Sequence, residues 1–347
     1  MTGRTPDGQY RPKVSVLIHN LDRASVLEGC LASVASQTYR PLEALVFDAG
    51  STDGSIQVIE RWIERMRAMG VEARWETCSR MGVPASRNHA AERATGDLLV
   101  MIDNDACFDD DDAVSAAVGE FRSDPGLGVL SFRVLDGESD AVDPRAWVFR
   151  RPAGSWADRR FETFTFAGTG FCARAEAFRE AGGFWDAFRY AREEEDLALA
   201  LLDRRWRLLY SARVTIRHFT DSRGRVQLAE RRRMELRNGT LVLFHRLPVP
   251  VAAVAVAARA ATMSLRALTH DRVGLGALWR ALPEALSRLR APDFDRRPVS
   301  LGTVGRYLAL HLPRRTTRPD DGSRRGGGGE RERRRLGDLR QDRASWP

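Results

Sequence analysis

Residues 98–112 read LLVMIDNDACFDDDD: five consecutive apolar side chains run straight into Asp103, Asn104 and Asp105, and four more aspartates follow shortly after. A carboxylate at the mouth of a buried strand is costly unless a cation balances it. Alternate residues of a strand point the same way, so Asp103 and Asp105 can aim at one ion, or at one ion and its ligand. Carboxylates that leave water positions open suit Mg²⁺ or Mn²⁺, completed by substrate phosphates. Taken alone, such an Asp-x-Asp pair is more often a capped turn, because aspartate favours turns and helix starts. Asp109 to Asp112 fit that plainer role, as the solvated start of a helix.

Other groups able to do chemistry lie on either side. FDAGSTDGS (47–55) ends an apolar run with Asp48, placed to accept a hydrogen bond from a nucleobase N–H, and sets Asp53 where it caps the next helix. Arg87, upstream of the Asp-x-Asp pair, suits a phosphate. EEEDLALALL places Glu193, Glu194 and Asp196 at a helix start, where the macrodipole alone favours acids. His218 closes a strand further on. In GTGF (168–171) the glycines, Gly170 among them, permit close backbone approach to a ligand. Trp185 offers a flat apolar face to a sugar ring, with core packing as its competing role.

The elements that must position these groups are legible from periodicity. VSVLI (14–18), LEALVF (42–47), EARWE (72–76) and DLLVMI (97–102) read as strands. SVLEGCLASVASQ (25–37), the run from Ser55 to Gly70 and SRNHAAERATG (86–96) read as the helices between them. Strands alternating with helices predict an α/β fold with a mainly parallel sheet flanked by helices. Such sheets bind ligands at the carboxyl ends of their strands, which is where Asp48 and Asp103 fall. The pattern is irregular over 106–165. A helix is expected over 193–206, one or two strands over 207–219, a strongly basic helix over 226–246, and Ala- and Arg-rich helix beyond.

Composition narrows the functional classes. The 347 residues are 43% hydrophobic, enough for a sizeable core. The net charge of +8 is concentrated in the tail from Pro313 to Pro347, which carries eleven Arg against six acidic residues, and with the charge so placed no nucleic-acid partner is expected. The four cysteines are far apart and form no CxxC pair, which fits a reducing compartment. The N-terminus lacks the apolar core of a signal peptide, and the apolar stretch 247–258 is too short to span a bilayer, so a cytoplasmic location is expected. The basic run ERRRMELRN (230–238), followed by that apolar stretch, has two readings. One is a solvated helix face; the other is peripheral attachment to an anionic membrane surface, the inner face of the plasma membrane.

In order and approximate spacing, VSVLIHNLDR, DAGSTDGS, GVPASRNHAAERATGDLLVMIDNDA, GTGFCARAEAFREAGGFWDAF and EEEDLALALL resemble the family 2 inverting glycosyltransferases of the GT-A fold, over roughly residues 12–250. Within that family the chain looks like the bacterial branch that adds rhamnose or similar sugars to cell-envelope glycans. The resemblance implies a GT-A catalytic domain over 12–225, with a nucleotide-binding half (12–106) and an acceptor-binding half (107–225). A helical extension (226–312) and a disordered Arg/Gly-rich tail (313–347) follow.

It further implies a nucleotide-diphosphate sugar donor (dTDP-, UDP- or GDP-linked), a glycan or lipid-linked acceptor, and Mn²⁺ or Mg²⁺. His19, Asn20, Asp48, Arg87 and Asp103 match nucleotide-sugar positions, and Asp103 and Asp105 match the metal-binding DxD. His218 matches a position that completes the metal shell, Glu194 matches the base, and Gly170 and Trp185 are assigned to the acceptor. Which of Glu193, Glu194 and Glu195 points inward is a question of register, with Asp196 a further alternate. The chain departs from the pattern at Ala49, where the family's turn usually carries a second acid. Two rival readings are a non-catalytic sugar-nucleotide or glycan-binding module and a sugar nucleotidyltransferase. The latter's Gly- and Arg-rich loop and lysine are missing after the first strand.

Overall fold

The computed structural model describes residues 11–78, 82–220, 228–269, 272–292 and 294–311. The expected disordered tail lies outside these residues, as do the first two residues of the expected basic helix. The described elements belong to one unit, Met1–Pro313.

The chain opens with β1 (Val14–Asn20), α1 (Ala24–Ala35), β2 (Leu42–Asp48), α2 (Ser55–Ala68), β3 (Glu72–Thr77), α3 (Val83–Arg93) and β4 (Leu98–Asp103). The four strands pair in parallel in the order β3-β2-β1-β4. Two-residue periodicity splits their side chains between two cores. Val14, Val16, Ile18, Ala44, Val46, Val100 and Ile102 face one cluster; Leu17, Leu45, Phe47, Leu99 and Met101 face the other. The first cluster is closed by α1 through Leu27, Cys30, Leu31 and Val34, and by α2 through Ile59, Trp62, Ile63 and Met66. Both sets recur at the i, i+3, i+4, i+7 spacing of a helix face. Helix α3 starts earlier than its expected bounds because Pro84 occupies the first turn, where a missing N–H costs nothing, and it ends at Ala94 in extended backbone.

Beyond Asp103 the sheet becomes mixed. The elements are β5 (Ala106–Phe108), α4 (Ala113–Ser123), β6 (Leu127–Asp136), α5 (Ala153–Trp156), β7 (Arg160–Glu162), β8 (Gly170–Arg174), α6 (Ala175–Ala181), α7 (Glu193–Asp203) and β9 (Arg207–His218). The sheet continues β4-β8-β6-β9-β5, with β8 antiparallel to both neighbours and β7 paired on β9. The segment read as one or two strands is a single strand with an irregularity in its pairing to β6. Helices α6 and α7 close the second core with Ala177, Phe178, Leu197 and Leu201. Four helices follow: α8 (Leu228–Arg246), α9 (Val249–Thr269), α10 (Arg272–Leu289) and α11 (Leu301–His311). They pack a third cluster against α7, with Leu199 meeting Leu241, Val242, Ala285 and Val304.

Candidate active site

Strand register assembles the floor of the site. In β1–β2 pairing Asn20 lies opposite Asp48, and in β1–β4 pairing His19 lies opposite Asp103, so three strands end at one edge. The antiparallel pairing of β5 with β9 sets Ala106 opposite His218, which brings Asp105 beside the imidazole. Asp105 Oδ1 and His218 Nε2 are 3.4 Å apart. Arg23 Nη1 approaches the other carboxylate oxygen at 3.2 Å. Behind the imidazole, Nδ1–H donates to Oδ2 of Asp143 at 2.6 Å, since a carboxylate can only accept. Burial lowers the His218 pKa, and the hydrogen bonds and charges of Asp105 and Asp143 outweigh it and leave it raised. Asp143 is the residue that sequence reasoning missed: it sits in the stretch with no periodicity, and only the tertiary fold brings it to His218.

Arg87 joins the strand edge to α7. Its Nη2 donates to Asp103 Oδ1 at 2.9 Å and to the Gly168 carbonyl at 2.7 Å, while Nη1 lies 3.7 Å from Glu194 Oε1 and has no hydrogen-bond partner. The guanidinium is buried between Phe171 and Phe184, 5.8 Å from each ring centre. Burial drives the Asp103 pKa up to about 6, Arg87 pulling it down and Asp105 adding to the rise. Gly168 is the glycine that matters here, because a Cβ on it would overlap the Glu194 carboxylate.

The triple-glutamate register resolves into two inward residues and one outward. Glu193 is buried, with Oε2 unpartnered, and burial with the neighbouring Glu194 charge pushes its pKa up to about 8. Glu194 is raised by burial as well, with Arg87 opposing the rise. Glu195 turns away, bonded to Arg192 at 3.0 Å and to the Tyr307 hydroxyl at 2.9 Å. Ala191 and Arg192 precede this turn with φ of 69° and 74°, a left-handed conformation uncommon outside glycine.

Several expected site residues are differently engaged. The Asp48 carboxylate accepts from the backbone N–H groups of Gly50 and Ser51, from the Ser51 hydroxyl and from Asn20 Nδ2, so it shapes its own turn. Asn20 in turn accepts from Asn104 Nδ2 at 2.7 Å, which ties the Asp-x-Asp segment to that turn. His19 shares a 2.6 Å hydrogen bond with Ser86, and burial and then Arg87 push its pKa down to about 4, so it is neutral. Asp196, weighed as an alternate base, is wholly buried between His245 and Arg246 and is a structural anchor. Gly170 is buried in β8, where a Cβ would run into Ile216 and Phe132, so its lack of a side chain serves packing. Trp185 stacks on His245 with ring centres 4.1 Å apart, taking up the packing role that competed with sugar stacking. Arg87, expected at a phosphate, is held by Asp103 and Gly168. Asp53 receives Ser55 N–H and the Ala24 N–H of α1, tying two helix starts together.

Residues that fit a divalent ion are Asp105 and His218. The imidazole is oriented by Asp143 so that Nε2 faces the carboxylate, the arrangement in which an outer carboxylate fixes a histidine ligand. Asp103 is turned to Arg87, and among the described residues no three His, Cys, Asp or Glu side chains form a ready cage. Two such donors leave coordination positions that phosphate oxygens of a ligand would complete.

The chain is similar in sequence and in fold to known proteins. The O-antigen biosynthesis protein RfbC of Myxococcus xanthus is 24% identical over 60% of this chain and 17% of its own length. The cholesterol galactosyltransferase of Borreliella burgdorferi is 25% identical over 40% of this chain and 34% of its own. The chain thus spans about a third or less of these relatives. Among solved structures, a mannosyltransferase of Pyrobaculum calidifontis in complex with GDP-Man and Mn²⁺ has a TM-score of 0.55 at 22% identity, over 88% of this chain and 81% of that one. GalNAc-T7 with UDP, GalNAc and Mn²⁺ has a TM-score of 0.53 at 15% identity, over 68% of this chain and 48% of that one. The fold is the GT-A fold expected from the sequence. The family model described as Glycosyl transferase family 2 matches residues 15–182, and over that range the chain carries a domain matching that family.

Proposed function

We propose that the protein is a metal-dependent inverting glycosyltransferase that moves a sugar from a nucleotide-diphosphate donor to a hydroxyl of a cell-envelope glycan or lipid-linked acceptor. The observation that carries the proposal is the Arg87 guanidinium shared between Asp103 at the strand edge and Glu194 at the start of α7. It sets a carboxylate capable of taking a proton beside the edge at which sheets of this kind hold nucleotides.

Glu194 acts as the base. Arg87 opposes the rise of its pKa, whereas the more buried Glu193 has a pKa of about 8 and holds a proton at neutral pH. In a single displacement the acceptor oxygen bonds to the anomeric carbon as the bond to the diphosphate oxygen breaks. The acceptor proton passes to Glu194, and the electron pair leaves with the diphosphate. A divalent ion held by Asp105 and His218, Mn²⁺ or Mg²⁺, would stabilise the charge on that leaving group. The structural relatives bound to Mn²⁺ and nucleotides support this assignment.

The donor is UDP-, GDP- or dTDP-linked, and a rhamnose-type sugar rests on motif order alone. For location, the face of α9 formed by Ala253, Val254, Ala257, Ala258 and Ala261 is exposed and uncharged, Val254 at 71%. It supports attachment to a membrane surface, and no helix among the described residues is long and apolar enough to cross one. The test is incubation of the full chain with Mn²⁺ and UDP-, GDP- and dTDP-sugars, assaying released nucleoside diphosphate. One donor class should turn over, and Glu194→Gln should lose about 10²- to 10⁴-fold. Nucleotide binding without turnover, unchanged in Glu194→Gln, would instead indicate a binding module.

A further inference from the structure

The first turn of α7 is held from behind by α8. Ala191 and Arg192, two successive non-glycine residues at positive φ, reverse the chain immediately before Glu193. Such a pair persists only where its surroundings over-determine it. The determinant is Asn238 of α8, 1% exposed, which donates through Nδ2 to the carbonyl of Tyr190 at 2.7 Å and to that of Ala191 at 2.9 Å. One helical turn into α7 a second clamp closes. Asp196 accepts from His245 Nδ1 at 2.6 Å and from Arg246 Nε and Nη2 at 2.9 and 2.7 Å. The two clamps bracket Glu193 and Glu194 along the chain.

We propose that Asn238 is a positioning residue for the reaction: it holds the left-handed turn at Ala191 and so fixes the direction in which the Glu194 carboxylate leaves α7. The proposal rests on the reading of Glu194 as the base. Asn238 lies outside the strand edge assigned to the nucleotide, so its loss should act on the chemical step and leave donor binding alone. Asn238→Ala removes the donor to both carbonyls and leaves the Ala191 conformation without that support. Ala191→Gly removes the Cβ that makes that conformation unfavourable, so the glycine should restore the turn without the clamp.

The experiment compares the wild type, Asn238→Ala, and Asn238→Ala with Ala191→Gly, by steady-state kinetics with the donor found above and by hydrogen exchange. In Asn238→Ala, kcat should fall about 10²-fold, the loss expected of a misplaced catalytic group, with donor KM within about twofold. Amide exchange should accelerate over residues 190–196 and not in β1 to β4, and the double variant should recover most of the kcat. Unchanged kcat in Asn238→Ala, or a loss that the glycine leaves in place, would overturn the proposal. A wild type that releases no nucleotide counts against the reading of Glu194 instead. In that case exchange still decides the clamp: unaltered protection over 190–196 in Asn238→Ala rules it out.

Discussion

The backbone at Gly168 runs so close to the Glu194 carboxylate that a methyl group there would overlap it. The turn between β7 and β8 and the start of α7 therefore form one wall of the site, with the Arg87 guanidinium bonded to the Gly168 carbonyl and facing Glu194. Gly168→Ala should displace the flexible end of Glu194 more readily than the backbone. We expect a stability loss of about 1–3 kcal/mol, as for other overpacked sites, and a fall in kcat of about 10²-fold. Thermal melts and steady-state kinetics on one preparation separate the two.

The neighbouring glutamates should respond differently to amide substitution. Glutamine resembles the protonated form that burial favours at Glu193, so Glu193→Gln should stay within about tenfold of wild type, against the far larger loss in Glu194→Gln. Because the Glu194 pKa is raised, its basic form is lost as pH falls through a value above the ordinary glutamate range. The acid limb of the pH–rate profile should thus lie above about 4.3, the unperturbed value.

Asp143 should behave as a support for His218 without itself binding the ion. Asp143→Ala removes the acceptor that fixes the imidazole, and Mn²⁺ affinity in the presence of a nucleoside diphosphate should drop about 10- to 100-fold. Electron paramagnetic resonance of free Mn²⁺ reads this directly, without turnover. Asp105→Ala should abolish the binding.

Asp196 anchors α7 to α8 and its removal should cost stability. Burial raises its pKa, but hydrogen bonds from His245 and Arg246 and the Arg246 charge outweigh this and leave it lowered. A lowered folded-state pKa contributes stability that is present above the unfolded value of about 3.9 and is lost as pH falls through the folded value. Asp196→Asn should therefore cost about 3–5 kcal/mol at pH 7, leaving Arg246 buried without its counter-ion. The gap to wild type should narrow below about pH 4. Urea denaturation at pH 7 and at pH 3 measures both.

The fold and the candidate site were unequally legible in the sequence. Strands β1, β2 and β4 declare themselves because both their faces are buried, giving short apolar runs bounded by Gly, Asp and Pro, whereas β3, at the sheet edge, is only partly buried and carries no such run. Asp103 and Asp105 stand out because they interrupt such a run. The pairing of Asp105 with His218 depends on the β5–β9 register, 113 residues apart in the chain, and no local pattern encodes it. Gly168 and Gly170 look alike in GTGF, and only the neighbours of each Cβ position tell a wall of the site from a packing gap. Trp185 and Asp196 were ambiguous for a related reason: their partners, His245 and Arg246, arrive with α8, whose basic sequence reads equally well as a solvated face.

The most direct measurement is a thermal-shift comparison of UDP, GDP and dTDP, each with Mn²⁺ or with EDTA, on the wild type and on Asp105→Ala. A ligand at about 100 times its Kd adds roughly 2.7 kcal/mol of stability. If Asp105 holds the ion at the nucleotide, one nucleotide raises Tm only with Mn²⁺ and only when Asp105 is present. A shift that survives EDTA and Asp105→Ala, or no shift with any nucleotide, would contradict it.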